Sequence, residues 1–425
     1  MRIIGLMMWA SMLAACAPAR QETRAEQSPP VIATVASVLP DEPLSAARVV
    51  QFALTQHPDV RAELARLDVI EAERVQAGLL RNPMLTLMAL RPESGGGLAV
   101  EAGWMQSLFD LLTRSRRVAQ ADAEARRGRA KVAMRLLDLG VAAQSAFHDA
   151  VATAARARLL HAELALDEEA LALQSRWAQQ GLSPHADVLA LQSMRDERAH
   201  MLHEAEADAT RASAMLAERM GLASSEALRL PEDIETVAVP DIVLADAQAR
   251  ALTTRPELEA SDAARDAIGH ERARERGGLR SSEPELGLRI ERDAEGMAML
   301  GPDLRIALPW FDRGQARAAR YDALSREALA RDEALRRRIV LEVERAWTVL
   351  AHALHAAEQA EHHRARVQIA DDLSARQYRN GGVDRMARIA ARRALIQAER
   401  QRLEARAALA GAQVELQRAL GSSVR

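Results

Sequence analysis

The sequence is poor in cysteine and in aromatic residues. Cys16 is its one cysteine, so an intrachain disulfide is excluded. Phenylalanine, tryptophan and tyrosine make up 3% of the 425 residues, which leaves few large side chains for a thick globular core. Beyond the N-terminal segment, no apolar run reaches the roughly 18 residues of a membrane-spanning helix. The composition therefore favours long helices that pack through narrow apolar stripes.

Signatures of catalysis are also missing. The sequence has no G-x-S-x-G, no P-loop and no H-E-x-x-H motif. A net charge of −3 gives no basic footprint for nucleic acid. We therefore expect no enzymatic activity and no nucleic-acid partner.

Histidines are the remaining candidates for metal ligands. His200/His203 and His352/His355 are i,i+3 pairs, and His362 adjoins His363. An i,i+3 pair can chelate a metal. However, no further ligands accompany either pair in a loop, and most of these histidines fall on charged helix faces. The sequence predicts solvated histidines and no metal site.

The N-terminus has the pattern of an export signal. Arg2 precedes an apolar stretch over residues 3–14, which ends in Leu13-Ala14-Ala15-Cys16. We interpret residues 1–15 as a bacterial lipoprotein signal peptide and Cys16 as the lipidated first residue of the mature chain. An ordinary secretory signal with an incidental cysteine is the alternative. Residues 16–43, rich in Pro, Gln and Glu, are predicted to be a lipidated tether.

Three matches in the same order suggest an internal tandem repeat. HPDVRAE at His57 is matched by RPELEAS at Arg255, LFD at Leu108 by WFD at Trp310, and RMGL at Arg219 by RALGSS. Each pair is separated by about 200 residues, far more than a solenoid unit. The repeats would be two copies of a domain-sized motif, residues 44–222 and 241–425, joined by a linker over 223–240.

Each half has the same predicted order: helix, two strands, a very long helix, a break and a shorter helix. In the first half these are a helix over 44–78, a β-hairpin over 84–109, a helix from about 112 to 180 and a helix over 185–220. In the second they are a helix over 241–276, a hairpin over 285–310, a helix from about 313 to 379 and a helix over 384–420. The first long helix would span roughly 100 Å. Its length is close to the sum of its two flanking helices, so we expect these to stack end to end along it.

Apolar and polar residues alternate in the second hairpin. Leu286, Leu288 and Ile290 alternate with polar residues or glycine, and the pattern resumes in DLRIALPW, from Asp303 to Trp310. Period two with one apolar face is typical of a half-buried strand, and the lengths approach those of transmembrane β-strands. A surface hairpin of a soluble protein is the alternative. Four strands cannot close in lipid; two chains would give a filled eight-stranded barrel and three a twelve-stranded barrel with a lumen.

The order of these features resembles the TolC family of outer-membrane efflux proteins over the whole mature chain. The resemblance rests on the lipobox at Cys16, RNPML from Arg81, the G-L-S-P break at Gly181 and LPWFDRGQ from Leu308, the last being similar to the heavy-metal branch, the CzcC/CusC type. It implies an α+β, mostly α, trimer: a 12-stranded outer-membrane β-barrel, four strands per chain, over a long periplasmic α-helical barrel. It also implies the exit duct of a tripartite pump, with a periplasmic adaptor (membrane fusion protein) and an inner-membrane RND transporter as partners, and no cofactor.

The two helix breaks are the predicted adaptor-contact and gate region. The candidate residues are Gly181, Leu182, Ser183, Asp187, Tyr378, Arg379, Gly381, Asp384 and Arg385. Glycines supply the backbone conformation of the reversal, and the charges could repel or pair around a three-fold opening. Plain turn and capping residues are the alternative. The second break keeps Tyr378 and Gly381 but lacks the Ser and Asp-Val-Leu that the family often shows.

Two alternative functions stay open from the sequence. The same fold could serve drug efflux or type I secretion instead of heavy-metal export. A lipid-anchored periplasmic coiled-coil scaffold with surface hairpins is an alternative of another class. The resemblance places the chain in the outer membrane with a periplasmic extension.

Overall fold

The computed structural model describes residues 42–91, 93, 97–226, 228–235, 243–276 and 283–421. The predicted signal peptide, Cys16 and nearly all of the tether lie outside these residues. From Leu44 onward the described chain is mostly helical, with one four-stranded antiparallel sheet. Among the described helices, none combines the length and hydrophobicity needed to cross a membrane.

The same order of elements occurs twice along the chain. The first half comprises α1 (Ala46–Gln56), α2 (Pro58–Gly78), β1 (Met84–Leu90), β2 (Ala99–Ser107), α3 (Leu108–Gln179) and α4 (His185–Met220). The second half comprises α5 (Leu244–Thr254), α6 (Pro256–Arg276), β3 (Glu285–Arg292), β4 (Ala298–Arg305), α7 (Gln315–Arg379) and α8 (Arg385–Ala419). Duplication as the origin of this order stays a prediction.

Strand β2 passes into α3 without a loop. The helix begins at Leu108, a turn earlier than predicted, and the strand ends at Ser107 rather than Phe109. Ser107 explains the difference, because its hydroxyl accepts a hydrogen bond from the Asp110 amide at 3.3 Å and caps the first turn of the helix. The direction of β2 therefore fixes the direction of α3, a helix of 72 residues.

The prediction for β4 was wrong. The strand covers Ala298–Arg305, not Asp303 to Trp310, so the hairpin ends at Arg305. A tight turn sets this register: the Asp293 amide donates to the Met297 carbonyl at 3.0 Å, and Gly296 has a φ of 93°. Since β3 begins at Glu285, which pairs with Arg305, β3 offers no pairing partner beyond that point. Pro302 makes a strand less expected from the sequence, because proline has no amide hydrogen to donate. It is tolerated here because β4 is an edge strand of this sheet.

The two faces of the sheet differ in chemistry. One face carries apolar side chains that are exposed in the single chain: Leu85, Leu87, Val100, Trp104, Leu286, Leu288, Ile290, Leu300 and Leu304. The other carries a chain of ion pairs, in which Arg289 contacts Glu101 at 2.6 Å and Asp303 at 2.7 Å. The predicted alternation in β3 is confirmed, although its apolar side chains are exposed in the single chain rather than half-buried.

The helices lie side by side in the same order as the strands. Helix α3 packs against α2 and α6 along its strand-proximal half and against α4 and α8 along its other half. Helix α7 packs against α5, α6 and α8. The contacts are narrow apolar stripes: Leu160 of α3 against Leu202 of α4, and Ile339 of α7 against Leu416 of α8 and Ala251 of α5. Each such leucine or isoleucine contributes about 1.5–3 kcal/mol on burial.

The half-length helices meet end to end, as predicted. Gly221, which ends α4, has a φ of 75°, and a Cβ there would lie 3.0 Å from the Cα of His57, the residue that caps α2. Gly421 lies equally close to Arg255 in the second half, where Thr254 donates to the Leu420 carbonyl at 2.6 Å. The predicted single helix over 241–276 is therefore broken at Arg255-Pro256, because proline cannot continue α5.

The predicted linker is packed against the helices where it is described. The Leu44 amide donates to the Arg229 carbonyl at 2.8 Å, and Ile234 is buried. Asp233 forms ion pairs with Arg402 at 3.0 Å and Arg406 at 2.8 Å on α8. These contacts fix residues 228–235 against α8 and the residues that precede α1.

Candidate functional site

The first helix turn joins α3 to α4. Gly181 has a φ of 72°, and the Leu182 amide donates to the Trp177 carbonyl at 2.8 Å, which closes the end of α3. The side-chain amide of Gln174, on α3, donates to the Ser183 hydroxyl at 3.0 Å and to the Asp187 carboxylate at 3.3 Å. Asp187 therefore lies in the first turn of α4 and is also held to α3.

The second turn joins α7 to α8 with the same backbone geometry. Gly381 has a φ of 75°, and the Gly382 amide donates to the Gln377 carbonyl at 2.8 Å. The Asp384 carboxylate accepts a hydrogen bond from the Ala387 amide at 2.7 Å and so caps α8. The Ser and Asp-Val-Leu missing from this turn are thus replaced by an aspartate cap.

Arg385 connects the second turn to the first half of the chain. Its guanidinium forms an ion pair with Glu169 on α3 and lies over the ring of Tyr378, 5.4 Å from its centroid. The hydrogen bond to Glu169 raises the pKa of Arg385 further above its usual value. This contact joins α8 to α3 roughly 15 Å from the end of α3.

The structure brings together part of the predicted gate residues. Ser183 and Asp187 share the donor Gln174, and Tyr378 and Arg385 contact each other. Leu182 is 72% exposed. Arg379 is exposed and has no ion-pair partner within the part of the chain that the structure describes. Glu169 and Gln174 were missed, because nothing in the spacing of the breaks points to residues one to three turns inside α3.

A layer of buried ion pairs lies behind the turns. The Asp167 carboxylate of α3, 2% exposed, contacts Arg198 of α4 at 3.2 Å and Arg393 of α8 at 2.6 Å. Asp371 of α7, 3% exposed, pairs with Arg388 of α8, with an Nη2–Oδ2 distance of 3.2 Å. Burial makes such pairs costly to break, because the remaining charge is left without a partner. The far ends of all four helices are therefore tied together.

A groove of about 1020 Å³ lies on the strand-proximal half, away from the turns. It is lined by α2, α3 and α6 and contains Arg66, Arg127 and Lys131. The neighbouring charge of Arg127, then partial burial and Arg66, lower the pKa of Lys131. The lining also includes Glu63 and Glu73, so the groove has charges of both signs.

Candidate metal ligands do not come together within the described part of a single chain. In the described ranges, no group of three or more His, Cys, Asp or Glu side chains is arranged to hold a metal ion. His200 contacts Glu204 at 3.4 Å, and His355 contacts Glu358 at 3.5 Å. Each i,i+3 histidine pair thus has one carboxylate beside it.

No protein-family model and no curated protein sequence matches the chain. Solved structures do match. The outer-membrane channel OprN aligns with a TM-score of 0.71 and 20% identity, over 89% of this chain and 90% of its own. CusC, described for folding and transmembrane channel formation, aligns with a TM-score of 0.69 and 15% identity, over 89% and 92%. The MtrE outer-membrane channel of Neisseria gonorrhoeae aligns with a TM-score of 0.67 and 13% identity, over 89% of both chains.

These likenesses bear on the fold. The mostly helical architecture with one four-stranded antiparallel sheet, expected from the resemblance to the TolC family, is confirmed. The CzcC/CusC branch is not singled out, since CusC shares 15% of its residues with this chain and OprN shares 20%. The chain has the fold of solved outer-membrane channel proteins.

Proposed function

We propose that this chain is the outer-membrane exit duct of a tripartite efflux pump and passes its cargo by passive conduction. The observation that carries the proposal is the apolar, exposed face of the sheet, whose strand β2 continues directly into α3, in a chain with the fold of solved outer-membrane channels. A soluble protein would bury such a face. The chain itself would catalyse no reaction.

The sheet supports insertion into a bilayer. Leu87 and Leu300 are each 70% exposed, and Leu288 and Ile290 lie between them on the same face. The opposite face carries the ion pairs of Arg289 with Glu101 and Asp303, which suit a water-filled interior. Lipid would therefore cover one face, and a lumen would lie along the other.

Closure of the sheet supports a homotrimer. Strands β1 and β4 are the two edges of the sheet, and an open edge in lipid leaves backbone groups without hydrogen bonds. Three copies would supply twelve strands and enclose a lumen. The helices support the same three-fold ring. Helix α7 lies at one edge of the helical layer, and α2 and α4 lie at the other. Both edges expose apolar side chains, such as Ile369 and Leu189, that a neighbouring copy could cover.

The two helix turns form the proposed gate and adaptor-contact region. In a ring of three copies they would surround the opening opposite the sheet. The ion pair of Arg385 with Glu169 holds the start of α8 against α3 in this state of the chain. Separation of α8 from α3 would require this contact to break. Exposed Leu182 and Arg379 remain available to a periplasmic adaptor.

Localisation, partners and cargo complete the proposal. Lipidation at Cys16 would anchor the chain in the outer membrane, and a periplasmic adaptor and an inner-membrane RND transporter would deliver the cargo. Heavy-metal cations are the proposed cargo because LPWFDRGQ, beginning at Leu308, is similar to the CzcC/CusC type. Drug efflux and type I secretion use the same architecture and are the alternatives for cargo.

A deletion strain tests the proposal. We expect the strain to become sensitive to one or more of copper, silver, zinc, cobalt and cadmium, and to recover with the intact gene. Sensitivity to a dye panel alone would keep the duct and change the cargo. Absence of the protein from the outer-membrane fraction, with no heat-modifiable migration, would contradict the duct and favour the periplasmic scaffold.

A further inference from the structure

Helix α7 has an exposed stripe on the side away from α8. Its buried positions, among them Ile339, Val343 and Leu350, recur every three or four residues and face α5 and α8. The opposite side repeats the same spacing with exposed residues: Leu341, Arg345, Thr348, His352, His355, Gln359, His362, Arg366, Ile369 and Leu373. This stripe is one lateral edge of the helical layer, and three of its members are histidines.

Helix α4 forms the other lateral edge in the same half of the molecule. Leu202 and Ala205 are buried against Leu160 of α3. The opposite side of α4 is exposed at Leu189, Ser193, Asp196, His200, His203 and Ala207. Each edge thus exposes histidines where no helix of the same chain covers them.

The histidines of the two edges lie at the same height above the turns. His362 lies roughly 26 Å from the end of α7 at Arg379. His200 and His203 lie roughly 23 and 27 Å from the start of α4 at His185. Both helices run between the turns and the junctions with the strand-proximal half, so equal distances mean equal heights.

A second copy of this chain is the occupant that fits both edges. In the ring proposed above, on which this inference rests, β4 of one copy pairs with β1 of the next and α7 therefore lies beside the neighbour's α4. Other features of the two edges match in height: Leu373 lies near the level of Leu189, and Arg366 lies near the level of Asp196. Apolar residues meet apolar residues, and a cation meets an anion.

We propose that His200 and His203 of one copy and His362 of its neighbour form a binding site for a divalent transition-metal ion of the zinc and cobalt class. Imidazole nitrogens suit these ions, and residues three apart on a helix share one face. Glu204, with Oε1 3.4 Å from Nε2 of His200, supplies the carboxylate that orients a ligating imidazole or fills a fourth position. The ligand set is incomplete in one chain and complete only between two.

Metal binding by the purified, full-length protein tests the site. The metal-free protein in detergent is titrated with Zn²⁺ alone and with Co²⁺ alone, and its mass is measured under native conditions. We expect one zinc per chain in the trimer and a visible Co²⁺ absorption band. His203→Ala and His362→Ala should each weaken binding roughly tenfold or more and abolish the band.

The matched control is the double variant His352→Ala/His355→Ala. These residues lie on the same stripe, roughly 36 to 41 Å from the end of α7, where the α4 edge has no histidine. Their loss should leave zinc binding unchanged. Equal weakening in this control would overturn the site, because it would show adsorption to exposed histidines in general.

Mixed trimers test the contribution of two copies. When the His203→Ala and His362→Ala chains are co-expressed, an α4 with both histidines meets an α7 with His362 at some interfaces. Random mixing should restore binding to about a quarter of the interfaces. No recovery in mixed trimers, or zinc bound by single chains, would overturn the shared site. A trimer that binds no zinc would overturn the site and leave the duct, whereas a chain that never forms trimers would overturn both.

Discussion

Arg385 contacts two residues that belong to different parts of the chain. Tyr378 lies near the end of α7, across the turn from Arg385, whereas Glu169 is 216 positions away on α3. Both members of the ion pair are partly exposed, so the pair contributes at most about 1 kcal/mol in one copy. If the three copies of a trimer open together, three such pairs break at once and contribute about 3 kcal/mol. This would change the ratio of closed to open ducts roughly a hundredfold.

We therefore expect Glu169→Gln to raise the conductance of the closed duct in planar bilayers. The neutral amide keeps the shape of the side chain and removes its charge. Glu168→Gln is the matched control, since Glu168 is exposed and adjacent. Unchanged conductance in the Glu169 variant, or an equal rise in the control, would show that this ion pair does not hold the gate.

Two neighbouring aspartates, Asp371 and Asp372, differ in burial. Asp371 is 3% exposed and pairs with Arg388 and Arg392, whereas Asp372 is exposed and accepts a hydrogen bond from the side chain of Gln368 on its own helix. Asp371→Asn should destabilise the packing of α7 against α8 by about 3 kcal/mol, because it leaves buried arginine charge without a partner. Asp372→Asn should cost little. Hydrogen exchange in α8 is the measurement, and equal protection in both variants would contradict the role of burial.

Lys131 is the chain's one lysine, and it titrates under the influence of two arginines. Arg127 and Arg66 disfavour its charged form, so its pKa in the folded protein lies below the ordinary 10.5. The folded state is therefore disfavoured by this group below its folded pKa, and the penalty disappears as the pH rises through the folded pKa toward the unfolded value.

Arg127→Gln should raise the pKa of Lys131 toward its ordinary value. Amine-specific acylation, followed as a function of pH on the single lysine, gives the pKa directly. The wild-type chain should react at lower pH than the variant. Arg126→Gln is the control, because Arg126 pairs with Asp266 on α6 and does not line the groove. An identical profile in wild type and Arg127 variant would contradict the assigned cause.

The two long helices and the turns that follow them were predictable from the sequence, whereas the position of strand β4 was not. Long runs without proline, and the glycines at Gly181 and Gly381, fixed both turns from the sequence. The strand β4 contains Gly301 and Pro302, so its local propensity is poor, and DLRIALPW has the better alternation. Pairing with β3 decides the register instead, and that pairing depends on the Asp293–Met297 turn. The contact of Glu169 with Arg385 was unpredictable for a related reason: it depends on how two distant helices pack.

The junctions between half-length helices give a prediction about backbone conformation. Gly221→Ala should destabilise the protein by about 2 kcal/mol, because Gly221 has a φ of 75° and its Cβ would lie 3.0 Å from His57 Cα and Pro58 Cδ. Gly269→Ala is a control of opposite sign: the site lies within α6, nothing lies within 4 Å of the new Cβ, and alanine favours helix by up to about 1 kcal/mol. Thermal unfolding should order the proteins with the Gly221 variant lowest and the Gly269 variant highest. A Gly221 variant as stable as wild type would show that the junction tolerates a wider approach.

For the whole molecule, we expect three copies and a heat-modifiable barrel. Native mass should show a trimer in detergent, and unheated samples should migrate differently from boiled ones. Leu288→Arg, on the apolar face of the sheet, should reduce trimer recovery from the outer membrane, because a basic side chain in the middle of the lipid costs about 2–4 kcal/mol per copy. Arg289→Gln, on the opposite face of the same strand, should leave recovery largely intact. A dimer, or equal loss in both variants, would contradict the arrangement of the sheet.

Helices α4 and α8 each end against the start of another helix. The lengths of the four helices between those junctions and the turns therefore cannot change independently of one another. Removing one heptad from α3 between the junction and Gly181 would leave α4 about two turns too long, with its histidines and apolar residues out of register with α8 and α7. Only matched removals from α3, α4, α7 and α8 would preserve every contact. The length of the helical part beyond the sheet can therefore change only if all four helices gain or lose the same number of heptads. Related proteins with longer or shorter helical parts should differ by equal insertions or deletions in these four segments.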